Sequence, residues 1–116
     1  MNVLLVDDEP NVLKTLTIGL QSLGLDVVAC RSPLAALEVL AHRTDFDLAF
    51  FDLKMHPIDG IALMQRMRQF NPITTVSIIT AHGTVDTAVQ AIKHGAYDYL
   101  LKPIELETLR RYVDKA

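Results

Sequence analysis

Short apolar runs punctuate the chain at regular intervals, over residues 3–6, 27–30, 48–51, 76–79 and 97–101. Their spacing, roughly 20 to 28 residues, suits a strand, a helix and two short loops. Most of these runs do not alternate polar with apolar positions, which predicts strands covered on both faces, as in a parallel sheet. The segments between them carry helical period instead. Val12, Leu13, Leu16, Leu20 and Leu23 form one stripe, and Leu34, Leu37, Leu40 and Ala41 a second. Ile61, Met64, Met67 and Phe70 form a third, Val85, Ala88, Val89 and Ile92 a fourth, and Leu106, Leu109 and Val113 a fifth. Each stripe is expected to face a core.

Punctuation agrees with this division. Pro10 and Pro33 suit first helical turns, where the missing N–H has no partner to lose, and Ser32 precedes the second as a cap. Asp59 and Thr84 are expected to cap the third and fourth helices, and Gly24 and Gly95 stand where helices should stop. The result is five βα units with no linker and no low-complexity stretch, so residues 1–116 read as one α/β domain. Right-handed crossovers fold such units into a doubly wound three-layer sandwich. Sites in such sheets lie at the carboxyl ends of the strands, near the point where strand order reverses. The final helix, ending in RRYVDKA, carries no clear stop signal, which suggests a domain cut from a longer chain.

Composition narrows the function. Half of the residues are hydrophobic and 22% are charged, as in a globular protein. Eleven basic against fourteen acidic residues leave a net charge of −3, without the basic balance of a nucleic-acid-binding domain. Cys30 is the only cysteine, so an internal disulfide and a cysteine-rich zinc site are excluded. No apolar run approaches the roughly 18 residues of a membrane span. The N-terminus reaches Asp7 and Asp8 too early for a secretory signal. A cytoplasmic location with no membrane partner is expected.

The strand ends carry the chemistry. Asp7, Asp8 and Glu9 follow the first strand, Asp52 the third, Thr80 the fourth, and Lys102 with Pro103 the fifth. Two carboxylates about 4 Å apart repel by roughly 4 kcal/mol at an effective dielectric of 20, which a divalent cation between them would relieve. All-oxygen donors beside a phosphoryl group suit Mg²⁺. A carboxylate at the tip of a buried strand, as Asp52 is expected to be, is held in place and can attack phosphorus to form an aspartyl phosphate. Lys102 and the hydroxyl of Thr80 can then neutralise and bind the transferring group.

The segments LLVDDEPN, FFDLKMHPIDG, SIITAHG and GAYDYLLKPI, in this order and spacing, resemble the receiver domain of two-component response regulators over essentially the whole chain. The resemblance implies a flavodoxin-like (βα)5 fold with strand order 2-1-3-4-5. It implies that Asp52 is the phosphoacceptor, that Asp8 binds Mg²⁺ directly and Asp7 through water, and that the backbone carbonyl of Lys54 is a further ligand. Thr80 would bind a phosphoryl oxygen and move toward it, Lys102 would pair with the phosphoryl group, and the bond before Pro103 would be cis. Tyr99 matches the aromatic residue that swings inward when Thr80 moves. The implied partner is a sensor histidine kinase. The implied output is a changed protein interface on the side of the fourth helix, fifth strand and fifth helix, with a phosphorylation-dependent homodimer as one form. Such a domain is a signalling phosphoacceptor that catalyses only its own phosphorylation and dephosphorylation. The string TAHGTVDTAVQAIKHGAYDYLLKP is most similar to receivers of the NtrC-like, sigma-54-activator group, which carry output domains downstream that control transcription.

Two positions depart from the family pattern. His56 stands four residues after Asp52, where proline is usual, and Pro57 follows it; Asp59 and Gly60 keep their offset. Lys54 occupies a variable position beside the site, where its side chain would tune dephosphorylation. The remaining residues have plainer readings. His42, His56, His82 and His94 show no metal-ligand spacing. Met55, Met64 and Met67 read as core fillers. Cys30 reads as a small buried residue, and Arg110 and Arg111 as a solvated helix face.

Other functions fit less well. A haloacid-dehalogenase-type phosphatase needs a second aspartate two residues after its nucleophile, where this chain has Lys54. A flavodoxin needs a Ser/Thr-rich phosphate loop after the first strand, where this chain has three acids. A receiver that binds partners without being phosphorylated is the remaining alternative.

Overall fold

In the computed structural model, which describes residues 1–115, strands and helices alternate along the chain. They are β1 (Asn2–Val6), α1 (Pro10–Ser22), β2 (Asp26–Cys30), α2 (Pro33–Leu40), β3 (Leu48–Asp52), α3 (Gly60–Met67), β4 (Thr75–Thr80), α4 (Val85–Lys93), β5 (Asp98–Leu101) and α5 (Leu106–Lys115). The strands form one parallel sheet ordered β2-β1-β3-β4-β5. The order reverses direction between β1 and β3, and the carboxyl ends of these two strands carry Asp7, Asp8 and Asp52.

The central strands are buried because both sheet faces are covered. Val3 and Leu5 of β1 and Leu48 and Phe50 of β3 pack with Leu13, Leu16 and Leu20 of α1 and Leu109 and Tyr112 of α5. Leu4, Val6, Ala49 and Phe51 face the other way, toward Ala36 and Leu40 of α2, Leu63, Met64 and Met67 of α3, and Ala91 of α4. Alternate residues of each strand thus enter opposite cores, and both cores want apolar side chains. That is why these strands show no polar alternation. Burying each large side chain contributes about 1.5–3 kcal/mol. Met55, Met64, Met67 and Cys30 are all buried.

The helix ends follow local chemistry. Ser32, Asp59 and Thr84 accept hydrogen bonds from the backbone N–H groups of Ala35, Ala62 and Thr87. Gly24 and Gly95 have φ of 85° and 107°, a region that disfavours a side chain, just past the ends of α1 and α4.

Several expected core stripes are not where periodicity placed them. On α4, Val85, Val89 and Ile92 are exposed and only Ala91 is buried. On α2, the buried residues are Pro33, Ala36 and Leu40, while Leu34 is exposed. Phe70 lies beyond α3 and is exposed, and Leu106 is exposed at the start of α5, where Tyr112 is buried instead. Periodicity tells which residues share a helix face; a neighbouring element decides whether that face is covered. The runs at 76–79 and 97–101 also shift at their ends, since β4 extends to Thr75 and Thr80 and β5 begins at Asp98. No described helix is long and apolar enough to cross a membrane.

Candidate functional site

The carboxyl ends of β1, β3, β4 and β5 meet along one edge of the sheet. Asp52 is the last residue of β3, paired in register with Ile79, and Thr80 ends β4 beside Leu101. Asp7 and Asp52 are buried and Asp8 is exposed. One ligand oxygen from each of the three lies within 4.8 Å of the others. Short loops fix these positions. The Asp7 N–H donates to the carbonyl of Cys30, and Oδ1 of Asp7 accepts from the Glu9 N–H at 2.9 Å.

Lys102 enters from the end of β5. Its backbone N–H donates to the Thr80 carbonyl at 2.8 Å, which ties β5 to β4 at the site. Its side chain is only 8% exposed, and Nζ lies 2.7 Å from Asp7 Oδ2, 3.2 Å from Asp52 Oδ1 and 3.6 Å from Glu9 Oε1. Lys102–Pro103 and His56–Pro57 are both cis.

These contacts polarise the site. Burial, then the charge of Asp7, push the Asp52 carboxyl up to about 6, against the pull of Lys102. Burial by itself would lower the Lys102 ammonium, but the hydrogen bond to Asp7 and the charges of Asp52 and Asp7 outweigh it and raise it. Around the Lys102 ammonium stand Asp7, Asp52 and, at the rim, Glu9, with Asp8 beside the two aspartates. The donor set is all oxygen and carries surplus negative charge, which fits a hard divalent cation.

The other expected residues lie around this centre. Thr80 is buried, and its Oγ1 accepts from the His82 N–H at 3.2 Å. Tyr99 is half-buried in β5, with its hydroxyl 2.6 Å from Thr87 Oγ1 of α4. Lys54 and His56 are exposed in the loop after β3. A groove lined by Asn11, Val12, Thr15, Pro103 and Ile104 opens beside Lys102.

Two contacts at the site are not legible in the sequence. Gly60 begins α3 directly against Asp52, where a β-carbon would stand 2.4 Å from the Asp52 carbonyl oxygen. Its unbroken offset from Asp52 was the only sequence trace. Thr87 meets Tyr99 across the α4–β5 contact, and nothing local to either residue signals that pairing.

This fold and this edge define a receiver, the switch module of two-component signalling. The chain belongs to the response regulator receiver domain family, whose sequence profile matches residues 3–114. It is 43% identical over 113 residues to the response regulator protein PilR of Pseudomonas aeruginosa, covering 97% of this chain and 25% of PilR. It is 38% identical over 116 residues to the transcriptional regulatory protein ZraR of Escherichia coli O157:H7, covering 100% of this chain and 26% of ZraR. These relatives belong to the NtrC-like group. The chain thus spans about a quarter of their length. A crystal structure of a response regulator from Burkholderia pseudomallei, with a phosphorylated aspartic acid, a calcium ion and citrate, superposes with a TM-score of 0.86 at 27% identity, covering 98% of this chain and 71% of that one.

Proposed function

We propose that Asp52 accepts a phosphoryl group from a sensor histidine kinase and that the modification switches a protein interface. The observation that carries this reading is the pairing of buried Lys102 with Asp52 inside a cluster of three aspartates. The phosphorylated aspartic acid of the Burkholderia relative supports the same chemistry for this chain. A carboxylate oxygen of Asp52 attacks phosphorus, an O–P bond forms, the P–N bond of the phosphohistidine breaks, and the imidazole nitrogen keeps the electron pair. In the metal-free site burial and Asp7 raise the Asp52 carboxyl to about 6, so at neutral pH the attacking carboxylate is already the main form.

Asp7, Asp8 and Asp52, with the backbone carbonyl of Lys54, would hold Mg²⁺, which supplies positive charge opposite the transferring phosphoryl oxygens. Lys102 pairs with the phosphoryl group and the Thr80 hydroxyl donates to one of its oxygens. Tyr99 follows the movement of Thr80. The output surface is the α4-β5-α5 side, where Val85, Val89, Ile92, Leu101 and Leu106 are exposed. Exposed apolar side chains on this side suit docking of a second copy or of an output domain. The domain acts in the cytoplasm as a signalling phosphoacceptor within a transcriptional regulator and does not itself bind nucleic acid.

The test is labelling with acetyl phosphate and Mg²⁺, read by intact mass, with beryllofluoride binding followed by NMR. Wild type should gain one phosphoryl group or bind the analogue, with resonances of Thr80, Tyr99 and Lys102 shifting; Asp52→Asn should do neither. A wild type that does neither overturns the proposal and leaves a receiver that works as a constitutive binding module.

A further inference from the structure

The hydroxyl of Tyr99 has a specific partner. It lies 2.6 Å from Thr87 Oγ1, at the third position of α4. That oxygen also closes the first turn of its own helix. It donates to the Thr84 carbonyl at 3.1 Å and accepts from the Thr84 N–H at 3.1 Å. A hydroxyl offers one proton and two lone pairs. With the proton committed to Thr84, the free lone pair is left for an incoming donor. The hydroxyls of Thr84, 3.0 Å away, and Tyr99, 2.6 Å away, are the two donors that can fill it, and Tyr99 is the closer.

The ring of Tyr99 also covers the turn between β4 and α4. A β-carbon on Gly83 would stand 3.0 Å from Tyr99 Cε2 and 2.5 Å from Leu101 Cδ2, so the turn passes beneath these side chains with no room for one of its own. Earlier in the same turn, the His82 N–H holds Thr80 Oγ1. Thr80, the turn, Tyr99 and the first turn of α4 therefore form one connected unit.

We propose that Thr87 is a positioning residue that latches Tyr99, and through it the turn that carries Thr80, in the resting arrangement. The inference rests on the phosphoacceptor reading above and adds the group that holds the tyrosine. Thr80 accepts from the His82 N–H with a lone pair and keeps its proton for a phosphoryl oxygen, so a shift of Thr80 toward that oxygen draws the turn with it and moves Gly83 under the ring. The bond from Tyr99 to Thr87 resists that movement, so removing it favours the phosphorylated arrangement.

The test compares Thr87→Val, which keeps the shape and loses the hydroxyl, with Thr87→Ser, which keeps the hydroxyl. Tyr99→Phe breaks the same bond and leaves the cap of α4 intact. Thr87→Val and Tyr99→Phe should each tighten beryllofluoride binding with Mg²⁺ by about three- to tenfold, the worth of one hydrogen bond. The double variant should be no tighter than either single one, and Thr87→Ser should match wild type. In ligand-free Thr87→Val, the ring resonances of Tyr99 should shift toward their beryllofluoride-bound positions. Unmoved ring resonances, a Thr87→Ser protein that behaves like Thr87→Val, or weaker binding in Tyr99→Phe would each overturn the latch. A wild type that fails to bind beryllofluoride overturns the phosphoacceptor reading instead, and the ligand-free comparison of ring resonances still decides whether the hydroxyl of Thr87 holds Tyr99.

Discussion

Lys102 Nζ stands 2.7 Å from Asp7 Oδ2, inside a shell where both side chains are almost wholly buried, and the same ammonium reaches Asp52 at 3.2 Å. One cation therefore balances two buried carboxylates contributed by different strands. Removing one partner of a buried ion pair leaves an uncompensated charge, at about 3–5 kcal/mol. Lys102→Met should lower stability in urea unfolding by an amount near the lower end of that range. Added Mg²⁺ should restore more stability to the variant than it adds to wild type, because the carboxylates of the variant lack any other cation.

Asp52 makes stability depend on pH in a defined direction. Its carboxyl sits at about 6 against an ordinary value of 3.8, so the folded protein holds this proton more tightly than the unfolded chain does. The contribution of Asp52 to stability is therefore most favourable below about pH 4, falls as pH rises toward about 6, and levels off above that. At 1.36 kcal/mol per pKa unit the effect is at most about 3 kcal/mol. Asp52→Asn removes it. Without Mg²⁺, the variant should melt several degrees above wild type near pH 7.5, with a smaller gap near pH 5. A melting temperature below that of wild type at the higher pH, with the fold intact, would count against a strained acidic cluster.

Gly60 is predicted to be intolerant of any side chain. Ala at this position would drive its β-carbon to 2.4 Å from the Asp52 carbonyl oxygen and 3.1 Å from the carbonyl carbon, both backbone atoms that cannot swing aside. Gly60→Ala should destabilise by about 1–3 kcal/mol, as overpacking does, and should weaken beryllofluoride binding by displacing Asp52. Gly19→Ala is the control. Its β-carbon would meet Leu109 at an ordinary 3.5 Å, and the change should stabilise α1 by about 0.5–1 kcal/mol.

Ser77 and Tyr112 hydrogen-bond through their hydroxyls between β4 and α5, in a buried setting. Burial pushes the Tyr112 hydroxyl up to about 12, so it stays protonated across the working pH range. Tyr112→Phe leaves Ser77 Oγ without that partner and should cost about 1–3 kcal/mol in thermal or urea unfolding. The double variant Ser77→Ala with Tyr112→Phe should recover much of the loss, because no orphaned hydroxyl remains.

Lys54 is exposed two residues after Asp52. We propose that its ammonium hinders the approach of water to a phosphoryl group on that residue. Lys54→Ala should shorten the lifetime of the aspartyl phosphate, measured as the decay of labelled protein. An unchanged lifetime removes Lys54 from the residues that tune the site.

Much of this molecule is legible along the chain, and the reason is locality. The unalternating runs at β1, β3 and β4, the caps Ser32, Asp59 and Thr84 and the stops at Gly24 and Gly95 depend on residues a few positions apart. Asp7, Asp8, Asp52, Thr80 and Lys102 are legible as a group because a parallel sheet places all of its carboxyl ends on one edge, whatever the details of packing. The strand order itself came from the family resemblance. What only the tertiary structure decided are relations between distant segments. The apolar face of α4 is a helix stripe in sequence and an exposed surface in the fold, because no described element covers Val85, Val89 and Ile92. The closeness of Gly60 to the Asp52 carbonyl, the division of Lys102 between Asp7 and Asp52, and the bond from Tyr99 to Thr87 belong to the same class. Periodicity and turn chemistry act over one or two helical turns, whereas these contacts are set by how five βα units pack against one another.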